Sequence, residues 1–184
     1  MNQYKFRKEF EYSLESLDNI FQSMLMKLIN ESDDLWKLLK YNTYNALDED
    51  DLTYNEKAEL IEFKPELDVS KQPFKMIPYV GSQALLSEAT EIRMYPYNDA
   101  FNNDTFVTTT FAIEIITHYN NYLIDGGFRI SRMKSQLIKV LNNFNYDDAE
   151  GVLNSFTFDN TNSRIVDYGE GFIGERLLLV GDLK

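Results

Sequence analysis

The chain of 184 residues contains no cysteine, which excludes disulfides, zinc–thiolate sites and cysteine nucleophiles. Histidine is almost as scarce. His118 stands alone, so no multi-histidine metal site can form within one chain. No apolar run comes near the roughly 20 residues that span a bilayer, and the opening MNQYKFRKEFEY lacks the pattern of a signal peptide. The expectation is a soluble protein that is not exported and has no membrane partner. Basic residues are also few, 18 against 30 acidic ones, for a formal net charge of −12. Duplex affinity rests on cations that displace counterions, so the balance argues against nucleic-acid binding as the main task. The same balance suits a protein that lies beside DNA without sticking to it.

What is present belongs to a folded protein. The composition is 43% hydrophobic and 14% aromatic, far from that of a disordered chain, and the length fits one domain better than two. That single domain, 1–184, reads as an N-terminal helical part (13–63), an irregular stretch (64–88) and a β-rich part (89–184). In LESLDNIFQSMLMKLIN, residues 14–30, the apolar positions Leu14, Leu17, Ile20, Phe21, Met24, Leu25 and Leu28 recur at helical spacing, with Ser13 as N-cap. A second short helix begins after Ser32 and turns Leu35, Trp36, Leu38 and Leu39 inward. A third is expected around Glu56–Phe63. Three of the four prolines, Pro65, Pro73 and Pro78, then fall in a region without period, expected to be loop.

Beyond it, 89–97 and 105–119 alternate as strands joined by turn chemistry, an antiparallel hairpin. Phe111, Ile113, Ile115 and Thr117 share one face, while Thr110, Ala112, Glu114 and Ile116 make the other face mixed. An amphipathic helix follows, with a stripe at Ile130, Met133, Leu137, Val140, Leu141 and Phe144. Strands at 151–159 and 171–182, joined by the polar loop NTNSRIVDYGE, close the chain. The fold class is therefore α+β: a mainly antiparallel four-stranded sheet with N-terminal helices and one amphipathic helix packed on it.

Three places invite a chemical reading. In LIDGGFRISRMKSQLI (123–138) the glycines are adjacent, no Gly-Lys-Ser/Thr follows, and no parallel βαβ unit precedes them. A Walker loop and a dinucleotide fingerprint are both excluded, and Gly126 and Gly127 read as a strand-to-helix turn. Arg129 and Arg132 then sit near a helix start, where the macrodipole does not favour cations; with Lys134 they are better suited to an acidic neighbour. In LDEDDLTYNEKAE, Asp48, Asp50 and Glu59 take calcium-loop positions, but Leu52 and Thr53 fall where a ligand and a glycine are required. The run Asp48, Glu49, Asp50, Asp51 reads as a solvated acidic surface. His118 ends the strongest strand without a nucleophile elbow, so it reads as structural. The sequence points to no enzyme, no metal and no cofactor.

The second half resembles the neck and tail-completion proteins of tailed bacteriophages. The resemblance lies in FAIEIITHYNNYLIDGGFRISRMKSQLIKVLNN, the glycine-led GVLNSFTFD, a polar loop and the closing GFIGERLLLVGDL; upstream, LMKLINESDDLWKLLKYN and the proline-containing middle match the usual layout. It implies a tail terminator or head–tail joining protein of the virion, made in the host cytoplasm. Such a subunit forms a six- or twelve-fold ring with itself, between portal or adaptor protein and tail tube. DNA passes through without being specifically bound, and there is no catalysis. Within that picture, Arg129, Arg132 and Lys134 of one subunit would meet Asp48–Asp51 of the next. The alternative is an acidic, monomeric or dimeric phage-encoded protein that binds and inhibits a host target. An enzyme whose carboxylates are gathered only by folding comes third.

Overall fold

The computed structural model describes residues 3–62, 72–76, 88–103, 106–147 and 153–183. Its first helix, α1 (Gln3–Glu31), starts ten residues before the expected cap at Ser13. The reason is local: no glycine or proline interrupts Gln3–Glu31, and Lys, Arg, Glu and Gln continue a helix well. After the break at Ser32, α2 (Asp33–Lys40) buries Leu35, Trp36, Leu38 and Leu39 as their spacing predicts. The Trp36 indole N–H reaches back to the carbonyl of Leu28 at 2.9 Å, which ties the two helices together.

The next helix, α3 (Tyr54–Glu59), is shorter than expected, because Ile61–Glu62 already forms a strand, β1. Thr53 and Glu56 close a reciprocal capping box at its start. The Glu56 carboxyl is held down at about 2, first by the hydrogen bond from Lys40 and then by those from Thr53. Because the folded value is depressed, this contribution is present above the unfolded carboxylate range and is lost as pH falls towards 2. NMR titration is expected to place the Glu56 midpoint near pH 2, and Lys40→Ala to move it upwards. A midpoint at an ordinary glutamate value in the unaltered protein would refute the arrangement.

Of the stretch 64–88, expected to be loop, only 72–76 and 88 are described, and Phe74–Lys75 is a strand, β2. Then come β3 (Thr90–Asn103) and β4 (Phe106–His118), the expected hairpin. Two short strands, β5 (Leu123–Ile124) and β6 (Gly127–Phe128), lead into α4 (Arg129–Leu141). Asn143, with φ +60, ends that helical turn, so Phe144 belongs to β7 (Phe144–Asp147) rather than to the helix stripe. The chain closes with β8 (Leu153–Gly169) and β9 (Phe172–Leu183). The residues 160–169, expected to lie in a loop, are strand instead: Arg164–Asp167 pair with β9 from Arg176 to Ile173.

The expected four-stranded sheet thus understates the large sheet, which among the described residues has seven strands in the order β1-β2-β3-β4-β9-β8-β7. The four foreseen strands form its antiparallel centre, β7 adds to one edge antiparallel, and β1 and β2 add to the other edge parallel. Phe111 packs on Phe21 of α1 and on Phe156 of β8, with ring centroids 6.0 and 5.9 Å apart. Trp36 stacks on Phe74 at 5.6 Å, so β2 is held by a helix as well as by its neighbour. At Gly174 a Cβ would strike the carbonyl oxygen of Ile115 on β4, so no side chain fits there.

The mixed face of β4 is buried too: Ala112, Glu114 and Ile116 are no more than 3% exposed. Across this face runs a row of charges in register. Glu62 pairs with Lys75, Lys75 with Arg93, Arg93 with Glu114, and Glu114 with Arg176. Side chains complete the network within and between the strands. Lys75 donates to Glu91 at 2.8 Å, Arg93 approaches Glu91 at 3.3 Å, and Arg176 Nε donates to Glu114 at 2.8 Å. The Tyr95 hydroxyl also donates to Glu114, at 3.0 Å; burial, and then the charge of Glu114, push its pKa up to about 12. Burial likewise raises the pKa of Tyr168, whose ring lies under Arg93. Three acids and three bases cross five strands here. A slip of one residue would turn charges into the aromatic core, so the row pins the register.

Candidate interaction surface

The C-terminal end of β4 leads into the features that face outwards. His118 ends the strand, and its Nδ1 accepts from the backbone N–H of Asn120, which starts a 3₁₀ turn at Tyr119–Asn121. Its ring lies edge-on to Phe172 at 5.0 Å and beside Tyr119 at 4.4 Å, so the histidine is wedged among aromatics and only 8% exposed. After the turn, β5 and β6 pair as a two-stranded hairpin closed by Asp125 and Gly126. Gly126 has φ +75, the left-handed region that glycine enters without a Cβ penalty. The two glycines therefore make a small hairpin whose second strand runs directly into α4.

That hairpin presents apolar side chains to solvent. Leu123 and Phe128 are cross-strand partners and are 57% and 49% exposed. The Phe128 ring leans on Tyr122 at 5.3 Å. Tyr44, 62% exposed, is joined to the hairpin by the N–H of Asp125, which donates to its carbonyl at 2.8 Å. Tyr119, 63% exposed, stands at the start of the same connection. Leu123, Phe128, Tyr44 and Tyr119 are thus large side chains left exposed on this hairpin or on residues tied to it, by the chain at Tyr119 and by the Asp125 hydrogen bond at Tyr44.

The basic cluster expected to meet a neighbouring subunit is divided by the fold. Arg129 is wholly buried. Its guanidinium donates to the carbonyls of Leu38 (2.6 Å), Tyr41 (2.9 Å), Thr43 (2.7 Å) and Asn121 (2.8 Å). Four of its five donors are used inside the fold and the side chain is fully buried, so Arg129 has nothing to offer another chain, and its assignment to a subunit contact is corrected. Burial lowers its pKa to about 10, still far enough above neutrality to keep the charge. Lys134 pairs with Glu175 on β9 of the same chain. Arg132 is the exposed member; its Nη2 lies 3.4 Å from the carbonyl of Gly126, beside the hairpin turn.

The acidic run is divided in the same way. Asp51 pairs with Lys37 at 2.7 Å, Asp48 ends a 3₁₀ turn, Asp48 and Asp50 are exposed, and Glu49 is half-buried. Among the described residues no three His, Asp or Glu side chains converge as a metal site. Spacing along the chain could not reveal that Arg129 serves α2, since the acceptors lie 86 to 91 residues earlier along the chain at Leu38, Tyr41 and Thr43. The clue present in the sequence was an arginine immediately after a turn and before an apolar stripe.

A large, mainly antiparallel sheet with helices packed on it, and a separate two-stranded hairpin bearing exposed apolar side chains, define an α+β protein. A family model described as YomW matches residues 32–179, from the break before α2 to the core of β9, and the chain belongs to the YomW family. The name is that of a phage-derived gene, in agreement with a phage origin. No curated protein and no solved structure matches the chain.

Proposed function

We propose that the protein is a structural subunit of the phage neck, a ring-forming tail terminator or head–tail joining protein between portal complex and tail. It works by contact, without catalysis or a cofactor, and resides in the virion. The observation that carries this reading is the cluster of exposed apolar side chains on and around the β5–β6 hairpin, which needs a protein partner. The net charge of −12 supports it, because an acidic subunit lets DNA pass without holding it. Asp48 and Asp50 add to that acidic surface.

Light scattering after size exclusion, with negative-stain images, is expected to show six- or twelve-membered rings with a central hole. These form either from the protein alone or on addition of the phage's portal or tail-tube protein. A chain that remains monomeric with both, and is captured instead by a basic host protein, would replace this reading with that of an acidic inhibitor.

A further inference from the structure

We propose that Leu123 and Phe128 of one copy insert into an apolar groove on the helical side of the next copy, a head-to-tail contact between unlike surfaces. The inference rests on the reading that the chain assembles with itself. The groove encloses about 560 Å³ between α1, α3 and β3. Phe21, Leu25 and Ile29 of α1 and Pro96 of β3 line it, while Met26 and Tyr54 form its lip. Both lip residues are exposed, at 42% and 52%, and the Tyr54 hydroxyl donates to the Met26 sulfur at 3.7 Å. An apolar cavity of about 150 Å³ is enough for benzene, so this groove has room for a leucine and a phenylalanine together. Methionine at the lip adapts to whatever enters.

The choice of a second copy as occupant follows from what each surface lacks. The hairpin offers two apolar side chains with one exposed cation, Arg132, beside its turn. The groove is apolar with one exposed anion, Asp18, among its lining residues. Apolar knob and apolar groove, cation and anion, complement each other, and they lie on different elements of the fold. Such a contact is either closed reciprocally by two copies about a two-fold axis or left open at each end, and here it takes the open form. It propagates from copy to copy and closes into a ring when the rotation permits.

Because the chain lacks cysteine, the contact can be mapped without a background. Leu123→Cys and Met26→Cys chains are expected to form an intermolecular disulfide when mixed under oxidation, and neither is expected to do so alone. In sedimentation velocity, Phe128→Ala is expected to weaken association of the full chain about tenfold or more, as loss of a central anchor does. Arg132→Glu is expected to weaken it several-fold, and Asp18→Arg in the same chain to restore it. All five positions are exposed, and circular dichroism would confirm that the variants are folded. If the unaltered protein assembles, yet these variants assemble equally well and no mixed disulfide appears, the docking is wrong and self-assembly stands. If nothing assembles at any concentration and no disulfide forms, both fail. A groove found filled by a co-purified apolar small molecule, with assembly indifferent to Phe128→Ala, also overturns the proposal.

Discussion

Replacing Arg129 by methionine is expected to cost the fold about 3–5 kcal/mol, read as a lower denaturant midpoint with an unchanged slope. The substitution keeps much of the side chain's apolar bulk but withdraws all five donors. Leu38 lies in the last turn of α2, where helix carbonyls have no intrahelical partner. Tyr41 and Thr43 follow in the chain leaving that helix. Arg129 satisfies all three and adds the carbonyl of Asn121, so one guanidinium joins the C-terminal end of α2 to the connection before α4. Its positive charge also opposes the negative end of the α2 dipole. Each buried acceptor left unmet costs about 1–3 kcal/mol, and the losses overlap because the four groups share one donor. Arg129→Lys is expected to recover only part of the loss, since a lysine has no planar fork to meet acceptors in several directions. A change below about 1 kcal/mol for the methionine variant would mean that water replaces the arginine, contrary to its complete burial.

The second large effect is expected at Glu114. Removing its carboxylate by Glu114→Ala leaves Arg176 without its anion on a covered sheet face, while Arg93 keeps Glu91. A loss of about 3–5 kcal/mol follows from an uncompensated buried charge. The Tyr95 hydroxyl loses its acceptor at the same time. The sharper test is a double-mutant cycle with Arg176→Met. Once the cation is gone as well, the penalty of stranding it disappears, so the double variant should be less destabilised than the two single changes combined. A coupling of about 1–3 kcal/mol is expected from urea unfolding of the four proteins. Strict additivity would show that Glu114 and Arg176 act independently, against the 2.8 Å bond from Arg176 Nε to Glu114. The lasting value of the row is then specificity rather than strength: well-packed apolar replacements of a buried ion network can be as stable, but they would not forbid a slipped register.

The elements legible in the sequence are those whose signal is local. The apolar stripes of α1, α2 and α4 repeat at helical spacing, and Met24, Leu28, Leu35, Met133 and Leu137 are all fully buried where that spacing puts them. The β3–β4 hairpin showed through alternation, and its inward set Phe111, Ile113 and Ile115 is in the core. Strands β1 and β2 escaped because two residues carry no period. Phe74–Lys75 is a strand only because Ile92–Arg93 on one side and Ile61–Glu62 on the other accept it. The second half of β8 escaped because Asn160–Arg164 is polar, and its pairing is decided by β9 across the sheet.

The candidate site divides along the same line. Composition alone determined that this chain has no thiol chemistry, no multi-histidine centre and a surplus of acid, because these depend only on which residues are present. Periodicity determined that helices and an antiparallel sheet would share a core, because amphipathic spacing is a property of neighbours along the chain. Only the tertiary structure decided what each charge does. Arg129, Arg132 and Lys134 lie within six residues, yet one is locked inside on carbonyls, one is paired with Glu175 and one faces solvent. A side chain's electrostatic role is set by the acceptors and the water within a few ångströms of it, and folding chooses those from distant parts of the chain.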